Sequence, residues 1–491
     1  MIEAENGPNA RVARVYAIDL GRKTRTRAGT HTLIYIYILR REEREREREM
    51  KQRWMHFYFV NEIVHCLFLF AIYTIGTPLS NMLKMFGAVG YHHDDMHDDE
   101  SSFGILRNVV ECFVVYIMFY TVNLSIVAFV LYIRRSFRMS KRWLPIMKRG
   151  DLKEEPEFRT FTHITARDGI KLNVRVADFC KKKRKKKRSV MLLAAPLGQC
   201  GPSVYKPILR FFGDDFVYVT WDYRGLFGSE SPAETERRLS VRDSAEDAIE
   251  VLSCCGYDSC DVMIGHSMGT IVALESVLLY PKKIKSVILL NGFHGHVFST
   301  AFQPLVRIPL VGDFTSSYVE ALLSSKRLTE CVRVLLSGWL GIFFPLYSTF
   351  FGSSLMRKID GPDYLSVFLD GYMGPLFRSP QSLRNYLRLF QELDAHSVYH
   401  LLPTITQPLL MVSGLCDMLT PAMQSVEIAR RVPGSEHYCD PFSSHMSILE
   451  SPEQCVAEIA EFLYKHRVWK NGKSRLETET GDKTSRKKKG E

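Results

Sequence analysis

Residues 261–270 read Asp261-Val262-Met263-Ile264-Gly265-His266-Ser267-Met268-Gly269-Thr270. A short apolar strand runs into Gly-x-Ser-x-Gly, and a helical stretch follows from 270 to 280. Strand, sharp turn and helix together set a serine Oγ proud of a sheet edge. Gly265 and Gly269 suit such a turn, because a side chain at either place would collide with neighbouring backbone. The helix start at Met268 offers unpaired N–H groups beside the serine, which suit a developing negative charge. A plain glycine-rich turn before a helix is the rival reading, and the flanking strand and helix weigh against it.

On both sides of this stretch, strand-like and helical runs alternate. Strands are expected over 189–195, 216–221, 286–290, 409–413 and 436–439. Helices are expected over 240–255, 420–432 and 452–466. Ahead of them, 158–166 and 170–179 flank the turn Arg167-Asp168-Gly169 and read as a hairpin. Alternation of this kind predicts an α/β fold with a mostly parallel sheet. Residues 294–395 break the rhythm. They are rich in Phe, Leu and Tyr and read as a helical cap over the sheet's C-terminal edge.

A serine hydroxyl needs a base within hydrogen-bond reach and a carboxylate to orient that base. Asp417 lies just past the 409–413 strand, in Ser413-Gly414-Leu415-Cys416-Asp417. His445 lies in a loop before the last helix, in Ser443-Ser444-His445-Met446. Asp370 and Asp394 are rival acids without strand-end context. His437 is a rival base inside a strand-like run, and His266 reads as a structural residue of the turn.

The chain order Ser, Asp, His resembles that of the α/β-hydrolase superfamily, in particular its serine esterase and monoacylglycerol-lipase-like branch. The resemblance covers residues 158–466. Gly265-His266-Ser267-Met268-Gly269 resembles the family's nucleophile elbow. Asp417 stands at its acid position, with Thr420-Pro421 following. His445, ahead of Glu450-Ser451-Pro452-Glu453, resembles its base. Asp222-Tyr223-Arg224-Gly225 and Gly228-Ser229 resemble its loop after the fourth strand. The resemblance implies an α/β-hydrolase fold with a helical cap and a catalytic set of Ser267, Asp417 and His445. Leu197 and Met268 would be the oxyanion donors. One departure stands out: where the family has His-Gly after the third strand, this chain has Ala195-Pro196. Pro196 fixes φ and reshapes the loop, which bears on activity and not on the fold. The implied activity is hydrolysis of a carboxylic ester, with a lipid acyl ester expected, through an acyl-enzyme and without cofactor or metal. An acyltransferase on the same scaffold and a catalytically weak scaffold are the alternatives.

The remaining sequence places this domain in a wider chain. It is 491 residues long with 46% hydrophobic residues, enough for one large core plus appendages. The net charge of +11 gathers in runs such as 181–188, eight basic residues in a row. Runs of this kind predict attraction to anionic lipid and no nucleic-acid partner. Eleven scattered cysteines read as reduced thiols. Two apolar stretches, 57–79 and 109–133, are long enough for transmembrane helices, so 51–150 reads as a membrane anchor. Basic residues after the second stretch and the acidic His/Asp loop 92–100 between them predict both termini and the hydrolase domain in the cytosol, on the endoplasmic reticulum or another internal membrane. Residues 1–50 are low in complexity. Their Ile/Tyr and Arg/Glu alternations read as translated dinucleotide repeats, with the native chain starting at Met50. The tail 471–491 is polar and basic and is expected to be disordered.

Overall fold

A computed structural model describes residues 143–149, 152–178, 188–232, 239–300, 311–335 and 379–472, together with 356 and 374. The chain divides into Met1–Met118 and Phe119–Glu491, and every described residue belongs to the second unit.

Among the described residues eight strands form one sheet: β1 Arg159–Thr165, β2 Lys171–Ala177, β3 Ser189–Ala194, β4 Phe216–Trp221, β5 Val262–His266, β6 Val287–Leu290, β7 Leu409–Gly414 and β8 Glu436–Asp440. Their order is β1-β2-β4-β3-β5-β6-β7-β8. The first two are joined by the expected turn, so they pair antiparallel, as a short connection requires. The β2–β4 pair is also antiparallel, and every pair from β4 to β8 is parallel. The expected strands fall where the sequence places them, within a residue or two.

Alternation within each strand explains why β3 to β7 read as continuous apolar runs. Val190, Leu192 and Ala194 of β3 join one core cluster, while Met191 and Leu193 join the other. The sheet is therefore covered on both faces, which is the setting in which parallel sheets occur. On the first face lie α3 Val241–Cys254, α4 Met268–Leu279 and α7 Ala422–Arg431, with α6 Pro380–Ala395 packed against α3 in the same core. On the second lie α2 Lys206–Phe212 and α8 Pro452–Lys465, with α1 Leu144–Arg149 packed against α8. Helix α3 begins with a capping box, Ser240 and Asp243 bonding each other's backbone N–H. Within the expected cap region, α5 Val311–Ser324, residues 326–335 and α6 are helical.

The second-face core extends beyond the sheet's own span of sequence. Trp143 is fully buried, donates from Nε1 to Glu461 Oε2 at 2.9 Å, and packs edge-on against Phe211 and Tyr464 and tilted against Trp469. Residues 143–149, read from sequence as the end of an anchor segment, thus close the apolar side of α8.

The expected placement as an integral membrane protein with a cytosolic hydrolase domain needs correction. Among the described residues no helix is long and apolar enough to cross a membrane. The two expected spans, 57–79 and 109–133, lie outside the described residues, as do the acidic loop 92–100, the low-complexity segment 1–50 and the tail from 473.

Candidate active site

Strand β5 ends at His266 and α4 starts at Met268, so the whole reversal falls on Ser267. Its backbone sits at φ 53°, ψ −117°, a conformation a side-chain-bearing residue rarely adopts. The surroundings hold it there. Ser267 N–H donates to Leu290 O at 3.0 Å, and its carbonyl accepts from Thr270 N–H at 2.9 Å and Thr270 Oγ1 at 2.6 Å. The two glycines let strand and helix come close: a Cβ on Gly265 would lie 2.0 Å from Gly269 O, and one on Gly269 would lie 2.1 Å from Ala194 O.

Asp417 and His445 come from the ends of the next elements along the sheet. The residues after β7 are tied to the end of β8 and the loop that follows it by Leu415 N–H to Asp440 O at 2.8 Å and Cys416 N–H to Ser443 O at 3.0 Å. This brings Asp417 Oδ2 to 2.9 Å and Oδ1 to 3.1 Å from His445 Nδ1. The Asp417 side chain is fully buried, and that of His445 is 12% exposed, so the imidazole keeps one open edge. Asp417 accepts from the N–H groups of Leu419 and Thr420 at 2.9 and 2.8 Å and from Asn291 Nδ2 at 2.8 Å. Thr420 Oγ1 lies 2.8 Å from Asp417 Oδ2 and 3.1 Å from His445 Nδ1. Burial alone would raise the carboxyl's pKa. The neighbouring His445 and the donors on Asp417 outweigh it and hold the group below the usual carboxylate range. An ionised Asp417 makes His445 Nδ1 the protonated nitrogen and leaves Nε2 as the base.

His266 connects the elbow to this pair. Its ring centroid lies 5.2 Å from that of His445, and its Nε2 lies 2.8 Å from His445 O. A carbonyl only accepts, so His266 is the Nε2–H tautomer. Complete burial, with His445 beside it, lowers its pKa to about 3, so it is neutral across the working range. It serves as a strut, as its place in the turn suggested. Among the described residues Ser267 Oγ makes no hydrogen bond to His445; such bonds are often long in unliganded enzymes.

The neutral His266 has a consequence for stability. Its folded pKa is depressed, so between about pH 6.5 and 3 the unfolded chain binds a proton that the folded chain refuses. Stability should therefore fall as pH drops through that window, by at most about 1.4 kcal/mol per pH unit from this group. Urea denaturation midpoints measured across that range should show a shallower slope in His266→Gln, whose amide still donates toward His445 O.

The loop after β3 faces the elbow. Pro196 O accepts from Gln199 N–H at 3.4 Å, so residues 196–199 form a turn with Leu197 at its first inner corner. Leu197 N–H donates to no acceptor among the described residues, and Met268 N–H lies in the first, unpaired turn of α4. The loop is held from behind: Tyr205 Oη donates to Ala194 O, and Tyr223 Oη to Ala195 O at 2.7 Å. Tyr223 is in turn fixed by its neighbour Arg224, which clasps Asp247 with two bonds of 2.6 Å and also pairs with Asp168.

The rival residues stand elsewhere. His437 pairs with Ser413 Oγ at 2.9 Å, and Asp394 sits near the end of α6, its carbonyl 3.0 Å from His296 Nδ1. Asp370 lies outside the described residues. No group of three His, Cys, Asp or Glu among the described residues has the arrangement to hold a metal ion. Three residues at the site, Asn291, Tyr205 and Tyr223, are not among the sequence candidates. For Asn291 a signal existed: it is the first polar residue after the apolar run Val287–Leu290, at the edge from which Ser267 and Asp417 also emerge.

A family model described as "Alpha/beta hydrolase family" matches residues 195–458, more than half of the chain. A protein of Agrobacterium fabrum named "Putative carbamate hydrolase RutD" is 25% identical over 280 residues, covering 56% of this chain and 92% of its own. The protein of the same name from Stutzerimonas stutzeri is 24% identical over 264 residues, covering 54% and 87%. Among solved structures, a thermophilic esterase from Thermogutta terrifontis aligns at 19% identity with 64% of this chain and 99% of its own, at a TM-score of 0.45.

Proposed function

Since the chain belongs to the alpha/beta hydrolase family, we propose that it is a serine hydrolase cleaving a carboxylic ester through an acyl-enzyme. The observation that carries this reading is the buried Asp417–His445 pair, 2.9 Å apart, next to a serine held in a strained turn at the head of a helix. In this reading His445 Nε2 takes the Ser267 proton as Oγ attacks the carbonyl carbon. The N–H groups of Leu197 and Met268 receive the oxyanion. His445 then returns the proton to the departing alcohol, and a water activated by the same nitrogen releases the acid. Asp417 orients the ring and stabilises the imidazolium. Ala195-Pro196 does not remove a donor, since the amide that serves is that of Leu197.

Relatives named for carbamate hydrolysis make carbamates the second substrate class to assay. A lipid acyl ester would need the membrane placement that the described helices do not support, so the substrate class proposed is the carboxylic esters. Purified full-length protein should be labelled by a fluorophosphonate probe, and Ser267→Ala should not. Folded wild-type protein that takes no label would mean that the fold here serves as a scaffold. Transfer of the acyl group to an added alcohol in preference to water would identify an acyltransferase.

A further inference from the structure

We propose that Asn291 is a positioning residue, one that couples the Asp417 loop to the His445 loop and fixes the orientation of both. The inference rests on the roles proposed above for those two residues. Asn291 is fully buried at the end of β6, with φ 49°. Each of its polar groups is engaged. Its backbone N–H donates to Val412 O on β7 at 2.8 Å, and its carbonyl accepts from Thr420 Oγ1 at 2.8 Å. One amide hydrogen goes to Asp417 Oδ2 at 2.8 Å and the other to Ser444 O at 2.9 Å, one residue before His445. Its Oδ1 accepts from Ser447 Oγ.

One planar amide thus bridges the acid and the chain segment that carries the base. The two loops leave different strands; backbone bonds from Leu415 and Cys416 join their starts, and the Asn291 amide joins them again at Asp417 and Ser444, beside the imidazole. The amide is rigid, and its two N–H directions are fixed relative to each other, so the Asp417 carboxylate and the Ser444 carbonyl are held at a set separation. Asparagine also suits the backbone: it is among the few residues that tolerate positive φ. A shorter side chain would reach neither acceptor, and a carboxylate would face Asp417 with like charge.

The amide also shares the negative charge of Asp417 with His445. Removing a donor from a buried carboxylate leaves more of its charge facing the imidazolium that forms in the reaction. Among the described residues, titratable groups beside this pair include His266 from the end of β5, Glu450, which binds Ser444 N–H and Oγ from the short helix Ser447–Glu450, and the thiols of Cys416 and Cys439, which feel the charge of Asp417. All remain in place in the variants below.

The test is p-nitrophenyl acetate hydrolysis by the full chain from about pH 5 to 9. It compares wild type, Asn291→Gly and Asn291→Asp, each also treated with a fluorophosphonate and checked for folding by circular dichroism. Asn291→Gly keeps the backbone conformation and deletes only the amide. Its kcat should fall on the order of ten- to a hundredfold, the range for losing a hydrogen bond to a charged group, with little change in KM. The acidic limb of kcat/KM should move to higher pH, and further in Asn291→Asp. A residue that only supports folding would lower the active fraction without moving the limb. If Asn291→Gly does not fold, the nearly isosteric Asn291→Asp carries the test. Folded, labelled variants with an unmoved limb would overturn the proposal while leaving Ser267 as nucleophile. Folded wild-type protein that neither labels nor hydrolyses would overturn both readings.

Discussion

Asp417→Asn should lower kcat by about 10⁴-fold with KM little changed. The Asp417 side chain accepts on both oxygens: Oδ1 from the N–H groups of Leu419 and Thr420, Oδ2 from Asn291 Nδ2, with Thr420 Oγ1 and His445 Nδ1 alongside. An asparagine has one acceptor and one donor group. If its oxygen keeps the two backbone N–H groups, its NH₂ faces the Asn291 amide and His445 Nδ1. The first contact sets donor against donor in a fully buried place. The second forces His445 to carry its proton on Nε2, the nitrogen that must receive the serine's. The wrong tautomer accounts for the kinetic loss, and the donor clash adds a stability cost of about 1–3 kcal/mol. Steady-state kinetics and urea denaturation of the same preparation separate the two. Activity within tenfold of wild type would mean that another carboxylate orients the base.

The elements and the order of the candidate residues are legible in the sequence, because those signals are local. A strand, two glycines and a helix fall within twenty residues of Ser267. Asp417 and His445 each sit directly after or before a strong periodic segment. The supports of the site were not legible, because each joins positions far apart in the chain. Asn291 meets Asp417 across 126 residues and Ser444 across 153. Tyr223 meets Ala195 across 28. No periodicity encodes such a meeting; it exists only once β6 lies beside β7 and β4 beside β3. The same holds for Trp143, whose burial depends on Phe211, Tyr464 and Trp469 arriving from three other segments. Hydropathy alone assigned residues 143–149 to the segment before the domain, since a lone Trp among basic residues carries no signal of its partner. At Ala195-Pro196 the sequence shows a departure that bears on loop shape; the contacts of that loop, tyrosine hydroxyls donating to the carbonyls at 194 and 195 and a turn that begins at Pro196, join segments the sequence does not link.

Gly265→Ala should be strongly destabilising, costing about 3 kcal/mol or more, the upper end for overpacked cores. The added Cβ would lie 2.0 Å from Gly269 O, 2.4 Å from Gly269 C and 2.8 Å from Thr270 N. All three are backbone atoms of the first turn of α4, so no side chain can rotate away. Relief requires moving the helix start from the strand end, and the geometry at Ser267 goes with it. Activity should therefore be lost along with stability, even below the denaturation midpoint. Gly256→Ala is the comparison that separates space from backbone conformation. Gly256 has φ +84° with nothing within 4 Å of the added Cβ, so only the left-handed penalty applies, about 1–2 kcal/mol. Gly265 is not among the glycines with positive φ, so its cost is all contact. Equal denaturation midpoints for the two variants would show that α4 can shift freely against β5. In that case the strain at Ser267 is not held by the close approach of strand and helix, and the elbow's rigidity must come from the hydrogen bonds of Ser267 to Leu290 and Thr270 alone.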